Sequence, residues 1–219
     1  MTQPTLVLLH GAGETATAWD AVIAALPVTW HVLAPDLAAA GETDDGRFAL
    51  GAAVEAIGRQ LPAERTVLLC GLSLGAMIAA EVAARDDSGR VEGLVLSGGQ
   101  VRPPKRLMRL QRFIADRFVP ESAFTGSGVT KRQVIAMFAA VEGLDLSAAL
   151  PAITVPTGVW CGTRDLANRA AARELARGIP EAALSFVPGV GHEWHKSHPA
   201  AFAAHLCAFA SDNGFATRR

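Results

Sequence analysis

The sequence predicts an α/β protein with a mostly parallel sheet of about six strands and helices on both faces. Two observations carry that prediction. Short apolar runs at residues 5–9, 30–34, 67–70, 91–96, 155–160 and 183–187 alternate with stretches of helical periodicity. That alternation is the mark of β-α-β units and a parallel sheet. The runs also end in glycine, proline or a chemically capable side chain, and open parallel sheets gather functional residues outside the carboxyl ends of their strands.

The elements follow in order. Residues 5–9 form a buried strand ending in His10-Gly11-Ala12-Gly13, and Thr15 or Thr17 is a candidate cap for a helix over 18–26. The second strand, 30–34, ends in Pro35-Asp36-Leu37, and Asp36 reads as structural. A polar loop then leads to a helix over 50–61, stopped by Pro62. The run Val67-Leu68-Leu69-Cys70 passes directly into Gly71-Leu72-Ser73-Leu74-Gly75, and a helix rich in small residues follows over 76–84. The fourth strand is 91–96. Residues 102–147 contain no convincing buried strand; 107–118 and 131–141 read as amphipathic helices around the loop 125–128. The alternation resumes at 155–160, with helices at 170–177 and 199–210, a last strand at 183–187 and a loose tail beyond Asp212. One domain over 1–219, carrying a helical insertion at 102–147, accounts for the length.

Composition narrows the function classes. Half of the residues are hydrophobic, enough for a sizeable core. A net charge of −1 gives no reason to expect a nucleic acid or a membrane surface as partner. Three cysteines, an odd number, do not make a disulfide framework; Cys70 and Cys161 read as buried thiols and Cys207 lies in a helical stretch. No run approaches the roughly 18 apolar residues of a membrane span. The amino terminus shows no signal-type segment. The expectation is a cytoplasmic protein acting on a small-molecule substrate, with its oligomeric state left open.

The chemistry concentrates at the strand ends. Gly-x-Ser-x-Gly between a buried strand and a helix is the setting in which a sharp turn exposes the serine hydroxyl. Alone, the motif reads equally well as a flexible loop. Its neighbours decide: Ser73, Asp165 and His192 each follow a predicted strand, in the order nucleophile, acid, base. A serine hydroxyl needs a base to remove its proton. His192 is the candidate base and Asp165 the residue that holds its tautomer. His195, His198 and His205 compete with His192, but only His192 follows both a strand end and a glycine. His192-Glu193-Trp194-His195-Lys196 falls one residue short of H-E-x-x-H, so no metal site is expected.

His10-Gly11-Ala12-Gly13, Gly71-Leu72-Ser73-Leu74-Gly75, Thr163-Arg164-Asp165 and Gly191-His192 together resemble the motifs of the α/β-hydrolase superfamily, over essentially the whole chain. The resemblance is greatest to small esterases and enol-lactonase-like members. It implies an α/β-hydrolase fold, a small helical lid at 102–147 and no cofactor. It also implies an oxyanion hole made by the backbone N–H groups of Ala12 and Leu74. The expected activity is hydrolysis of a small carboxylic ester, lactone or thioester through an acyl-enzyme. A lyase or C–C bond hydrolase using the same triad, or a ligand receptor retaining it, stays open, because fold does not set function.

The pocket is expected to take His10, Met108, Phe113, Met137 and Trp194, with Leu110, Ile114 and Phe138 on the same inner face of the lid. His10 is as readily a structural partner of the oxyanion loop, and Trp194 and Trp19 as readily core residues. Arg102, Lys105, Arg106, Arg109, Arg112 and Arg117 oppose the single acid Asp116. They read as a solvated face, with attraction of an anionic substrate as the alternative.

Overall fold

The computed structural model describes residues 5–63, 66–124 and 128–215. Six parallel strands form one sheet in the order β2-β1-β3-β4-β5-β6, being β1 Thr5–Leu9, β2 His31–Leu33, β3 Val67–Leu72, β4 Val91–Ser97, β5 Thr157–Gly162 and β6 Ala183–Val187. The helices are α1 Asp20–Ala25, α2 Leu37–Ala40, α3 Leu50–Gln60, α4 Leu74–Ala84, α5 Lys105–Phe118, α6 Lys131–Ala140, α7 Arg169–Gly178, α8 Trp194–Ser197 and α9 Pro199–Asp212.

Strand alternation divides the core. Val7, Leu9, Val67 and Leu69 turn to one face, where they meet buried residues of α3, α4 and α7. Leu6, Leu8, Leu68 and Cys70 turn to the other, against Trp19, Val22, Phe202 and Leu206 of the α1 and α9 side. The strand interiors are therefore apolar on both faces, as a parallel sheet requires. Cys70 and Cys161 are buried free thiols, and Cys207 is a free thiol on α9. Among the described residues no helix is long and apolar enough to cross a membrane.

The strand order sets the site. From β1 the chain moves outward to β2, then returns to the opposite side of β1 as β3. Their carboxyl ends lie side by side, with Leu9 registered against Gly71, at the topological switch point where such sheets bind ligands.

Several boundaries differ from the sequence reading. β5 begins at Thr157, because Pro156 has no N–H for the ladder. α4 begins at Leu74, directly after the serine. Asp36 is structural: it caps α2, its carboxylate accepting from the N–H of Ala38 at 2.9 Å. Part of the loop 125–128 lies outside the described residues. The tail is not loose as far as Phe215, which is buried and fills the space above Gly93.

α5 also turns differently. Met108 and Ala115 are its buried residues, whereas Leu110, Phe113, Ile114 and Phe118 are exposed. Helical spacing defines a stripe, but two stripes on this helix are apolar, and the Met108–Ala115 one packs inward.

Backbones meet closely at the switch point. A Cβ on Gly75 would lie 2.2 Å from the Leu9 carbonyl oxygen, and one on Gly71 would lie 2.2 Å from the Gly75 carbonyl oxygen. Both neighbours are backbone and cannot rotate away. On α3, a Cβ at Gly58 would meet nothing within 4 Å. Gly58→Ala should therefore raise stability by about 0.5–1 kcal/mol through helix propensity. Gly75→Ala should lower it by several-fold more than that gain. Urea unfolding of the two variants beside wild type measures both; a Gly75→Ala protein as stable as wild type would mean that β1, β3 and α4 do not cross this closely.

Candidate active site

Ser73 sits between β3 and α4 with φ 53° and ψ −113°, outside the regions that side-chain-bearing residues ordinarily occupy. Such backbone costs on the order of 1–3 kcal/mol and persists where the surroundings over-determine it. Here Ser73 N–H donates to the Ser97 carbonyl at 2.9 Å, and its own carbonyl accepts from Ala76 and Met77 at 3.1 and 3.2 Å. The turn presents the serine to a cavity of about 400 Å³ lined by Ser73, Asp165 and His192 together. Ala12 and Leu74 line it as well. Leu74 is the first residue of α4, so its N–H has no partner within the helix.

The acid and the histidine are directly paired. His192 Nδ1 lies 2.7 Å from Asp165 Oδ2. With Nδ1–H donated to the carboxylate, Nε2 keeps its lone pair. Asn168 Nδ2 donates to both Asp165 oxygens at 2.9 and 3.0 Å, and Gln100 Nε2 donates to Asn168 Oδ1 at 2.6 Å. The hydrogen bond to Asp165 raises the His192 pKa above its ordinary value, and burial only partly opposes it. Burial pushes the Asp165 carboxyl up, but the bond from His192, its charge and the Asn168 amide outweigh that and leave it lowered. Gly98, at φ 61°, leaves room for the ring: a Cβ there would come within 2.8 Å of His192 Cε1.

The remaining expected residues divide. Met108 and Met137 line the cavity with Leu107, Gln111 and Phe138. His10, Phe113 and Trp194 do not. His10 is fully buried behind the β1 loop, its Nδ1–H donating to the Gly11 carbonyl at 2.9 Å and its Nε2 accepting from Leu37 N–H at 3.0 Å. Trp194 packs in the core on Phe202 and donates from Nε1 to Ser97 Oγ at 3.0 Å. Phe113 points outward, 58 % exposed, its ring edge-on to Phe118. His195 is buried against Trp19, away from the cavity, and His198 stands at the start of α9.

The cations of residues 102–117 also face away. Arg102 pairs with Glu174, and Arg109 and Arg112 pair with Glu142. None of the six lines the cavity, whose charged walls are Glu14, Asp165, His192 and Glu193. Glu14 and Asn168 escape the sequence reading. Asn168 follows Asp165 by three residues and Glu14 follows the β1 loop by one, and neither spacing carries a known motif.

A model of the alpha/beta hydrolase family matches residues 6–205. A curated relative, the pimeloyl-[acyl-carrier protein] methyl ester esterase of Aromatoleum aromaticum, is 30 % identical over 240 residues, covering 91 % of this chain and 95 % of that protein. A segment of 86 residues, 39 % of the chain, is 46 % identical to the biotin biosynthesis bifunctional protein BioHC of Cellvibrio japonicus; it spans only 17 % of that protein. The crystal structure of the enol-lactonase from Burkholderia xenovorans is similar in fold, with a TM-score of 0.79 and 22 % identity over 96 % of this chain and 92 % of that one.

The His192–Asp165 pair makes a prediction of its own. A histidine whose native pKa is raised stabilises the fold fully below its unfolded-state pKa, and that stabilisation is lost as pH rises through the native value. NMR titration of the His192 ring should show a midpoint above that of an unstructured histidine, and Asp165→Asn should bring the midpoint down. An unchanged midpoint would show that the carboxylate does not hold the ring.

Proposed function

This chain belongs to the alpha/beta hydrolase family and is a hydrolase of the ester type, and from that premise we propose that it cleaves a small neutral carboxylic ester, lactone or thioester through an acyl-enzyme on Ser73. The observation that carries this reading is a strained serine and a carboxylate-paired histidine opening onto one mostly apolar cavity. Ser73 Oγ attacks the carbonyl carbon and gives its proton to His192 Nε2. The oxyanion takes hydrogen bonds from the N–H groups of Ala12 and Leu74; each such donor contributes about 10²–10³ in turnover. The tetrahedral centre collapses, the leaving alcohol or thiol takes the proton from His192, and water then repeats the attack on the acyl-enzyme with His192 as base. The helices α5 and α6 serve as the lid, giving the acyl group an apolar wall from Leu107, Met108, Met137 and Phe138.

The cavity volume suits a small substrate. Its walls favour a neutral one, since Glu14, Asp165 and Glu193 line it and the α5 arginines do not. The curated relative's name describes a methyl ester on a carrier-bound acyl chain, which is neutral at the scissile group and consistent with such walls.

A fluorophosphonate should label wild type stoichiometrically at Ser73 and leave Ser73→Ala unlabelled. Turnover of p-nitrophenyl acetate should fall by at least about 10³-fold in Ser73→Ala and His192→Ala, and far less in His198→Ala. Proton exchange or elimination without ester turnover would favour a lyase. Ligand binding with no turnover at all would favour a receptor.

Charge gives an independent check. Between esters matched in size, kcat/KM should be higher for the neutral one than for the carboxylate-bearing one, and the gap should narrow with added salt. A preference for the charged ester that Arg106→Ala with Arg109→Ala removes would show instead that the outer cations recruit substrate.

A further inference from the structure

We infer that Glu14 is the positioning residue of the oxyanion loop: with His10 it clamps the two faces of Gly11, and its own carboxylate is anchored by Lys196 and His195 from the segment that follows His192. The inference rests on the reading of Ala12 as an oxyanion donor.

The carbonyl of Gly11 and the N–H of Ala12 belong to one planar peptide. They point in opposite directions, so whatever holds the carbonyl aims the N–H. His10 Nδ1–H holds it at 2.9 Å. On the preceding peptide, Gly11 N–H donates to Glu14 Oε2 at 2.8 Å. Gly11 is thus tied at both its N–H and its carbonyl, in a loop whose glycines would otherwise allow peptide flips; Gly13, with φ 81°, already uses that freedom. A Cβ at Gly11 would stand 3.1 Å from Glu14 Oε2 and press on the clamp.

The two clamps have different needs. His10 works neutral, and its burial lowers its pKa accordingly. Glu14 works charged. Its side chain is 5 % exposed, and a buried carboxylate persists only when paired. Lys196 Nζ pairs with Glu14 Oε1, and His195 Nε2 stands 3.2 Å from the same oxygen. Burial pushes the Glu14 carboxyl up, but these partners and the Gly11 amide bring it down to about 2, so the clamp is charged throughout the neutral range. Lys196 follows His192 by four residues. One ion pair, its carboxylate buried and its ammonium at the solvent side, therefore joins the loop that presents an oxyanion donor to the segment that presents the base, across the cavity that Glu14 itself lines. A preorganised donor costs nothing at the moment of reaction; a loop free to flip does.

The test uses the full chain as Glu14→Ala, Glu14→Gln and Lys196→Met, with kcat expressed per fluorophosphonate-titrated site so that unfolded protein is not counted. Glu14→Ala should lower kcat by about 10²-fold, with KM for p-nitrophenyl acetate within a few-fold of wild type. Glutamine still offers an acceptor to Gly11 N–H, so Glu14→Gln should recover part of the loss. The affinity of an alkylboronic acid, whose tetrahedral adduct on serine places an oxygen in the hole, should fall in step with kcat/KM across the series. A lost melting temperature with wild-type kcat per titrated site and wild-type boronate affinity would reduce Glu14 to a structural ion pair and overturn the inference. So would loss expressed only in KM. Wild type that neither hydrolyses esters nor binds boronate would overturn the hydrolase reading, and this inference with it; active wild type, inactive Ser73→Ala and unaffected Glu14→Ala would overturn this inference alone.

Discussion

The close crossing of β1, β3 and α4 governs everything built on it. Gly75 brings the first turn of α4 against the Leu9 carbonyl, and Gly71 allows β3 to fold back under that helix without a side chain between them. The consequence is geometric. Ser73, lying between these glycines, has nowhere to go but a left-handed turn, and the β1 loop has nowhere to go but alongside it. Ser73 and the β1 loop become neighbours because two backbones touch, not because their side chains attract. The strain at Ser73, on the order of 1–3 kcal/mol, is carried by the surrounding apolar core of α4, buried along nearly its whole length.

The strand-end chemistry was legible because it depends on order and punctuation. An apolar run followed by glycine and a polar side chain identifies a strand end wherever it occurs, and parallel topology collects those ends at one edge. That is why Ser73, Asp165 and His192 reach one cavity in the structure. Residues that act through long-range contacts were not legible. Glu14 meets Lys196 and His195 across 181 or more positions of sequence, and Gln100 meets Asn168 across 68; no local pattern encodes such pairs. Phe113 was misplaced for a different reason. α5 carries apolar residues around much of its circumference, so periodicity could not say which stripe faces the core. Trp194 and His10 were close to the site in sequence but are turned away from it by specific hydrogen bonds, to Ser97 and to Leu37 and Gly11.

Charge is sorted by side. The cations of residues 102–117 stand outside, three of them tied to Glu174 and Glu142, and such exposed pairs contribute little to stability. Inside, each lining charge with structural weight has a specific partner: Asp165 with His192, Glu14 with Lys196. Under the proposed mechanism an oxyanion would meet no positive side chain among the residues that line the cavity except the imidazolium created by its own formation. Its stabilisation falls to backbone N–H groups, and these are effective only where the peptides that carry them cannot turn.

That requirement explains the economy of the stretch from His192 to Lys196. His192 faces the cavity and Asp165. Trp194 bonds Ser97 at the end of β4, the residue whose carbonyl holds Ser73 N–H. His195 and Lys196 reach Glu14 and, through it, Gly11 beyond the end of β1. Four of these five residues thus touch Asp165, the residue that supports the Ser73 backbone, and the Glu14 carboxylate that holds Gly11. A small shift of this stretch would displace all three together, whereas a shift of any one partner is resisted by the other two. The short helix α8 holds these side chains in helical spacing, which sends Trp194 and His195 into the core and leaves the Lys196 ammonium to close over the buried carboxylate from the solvent side. The buried Glu14 carboxylate at this corner stays charged because Gly11 N–H, His195 and Lys196 all meet it.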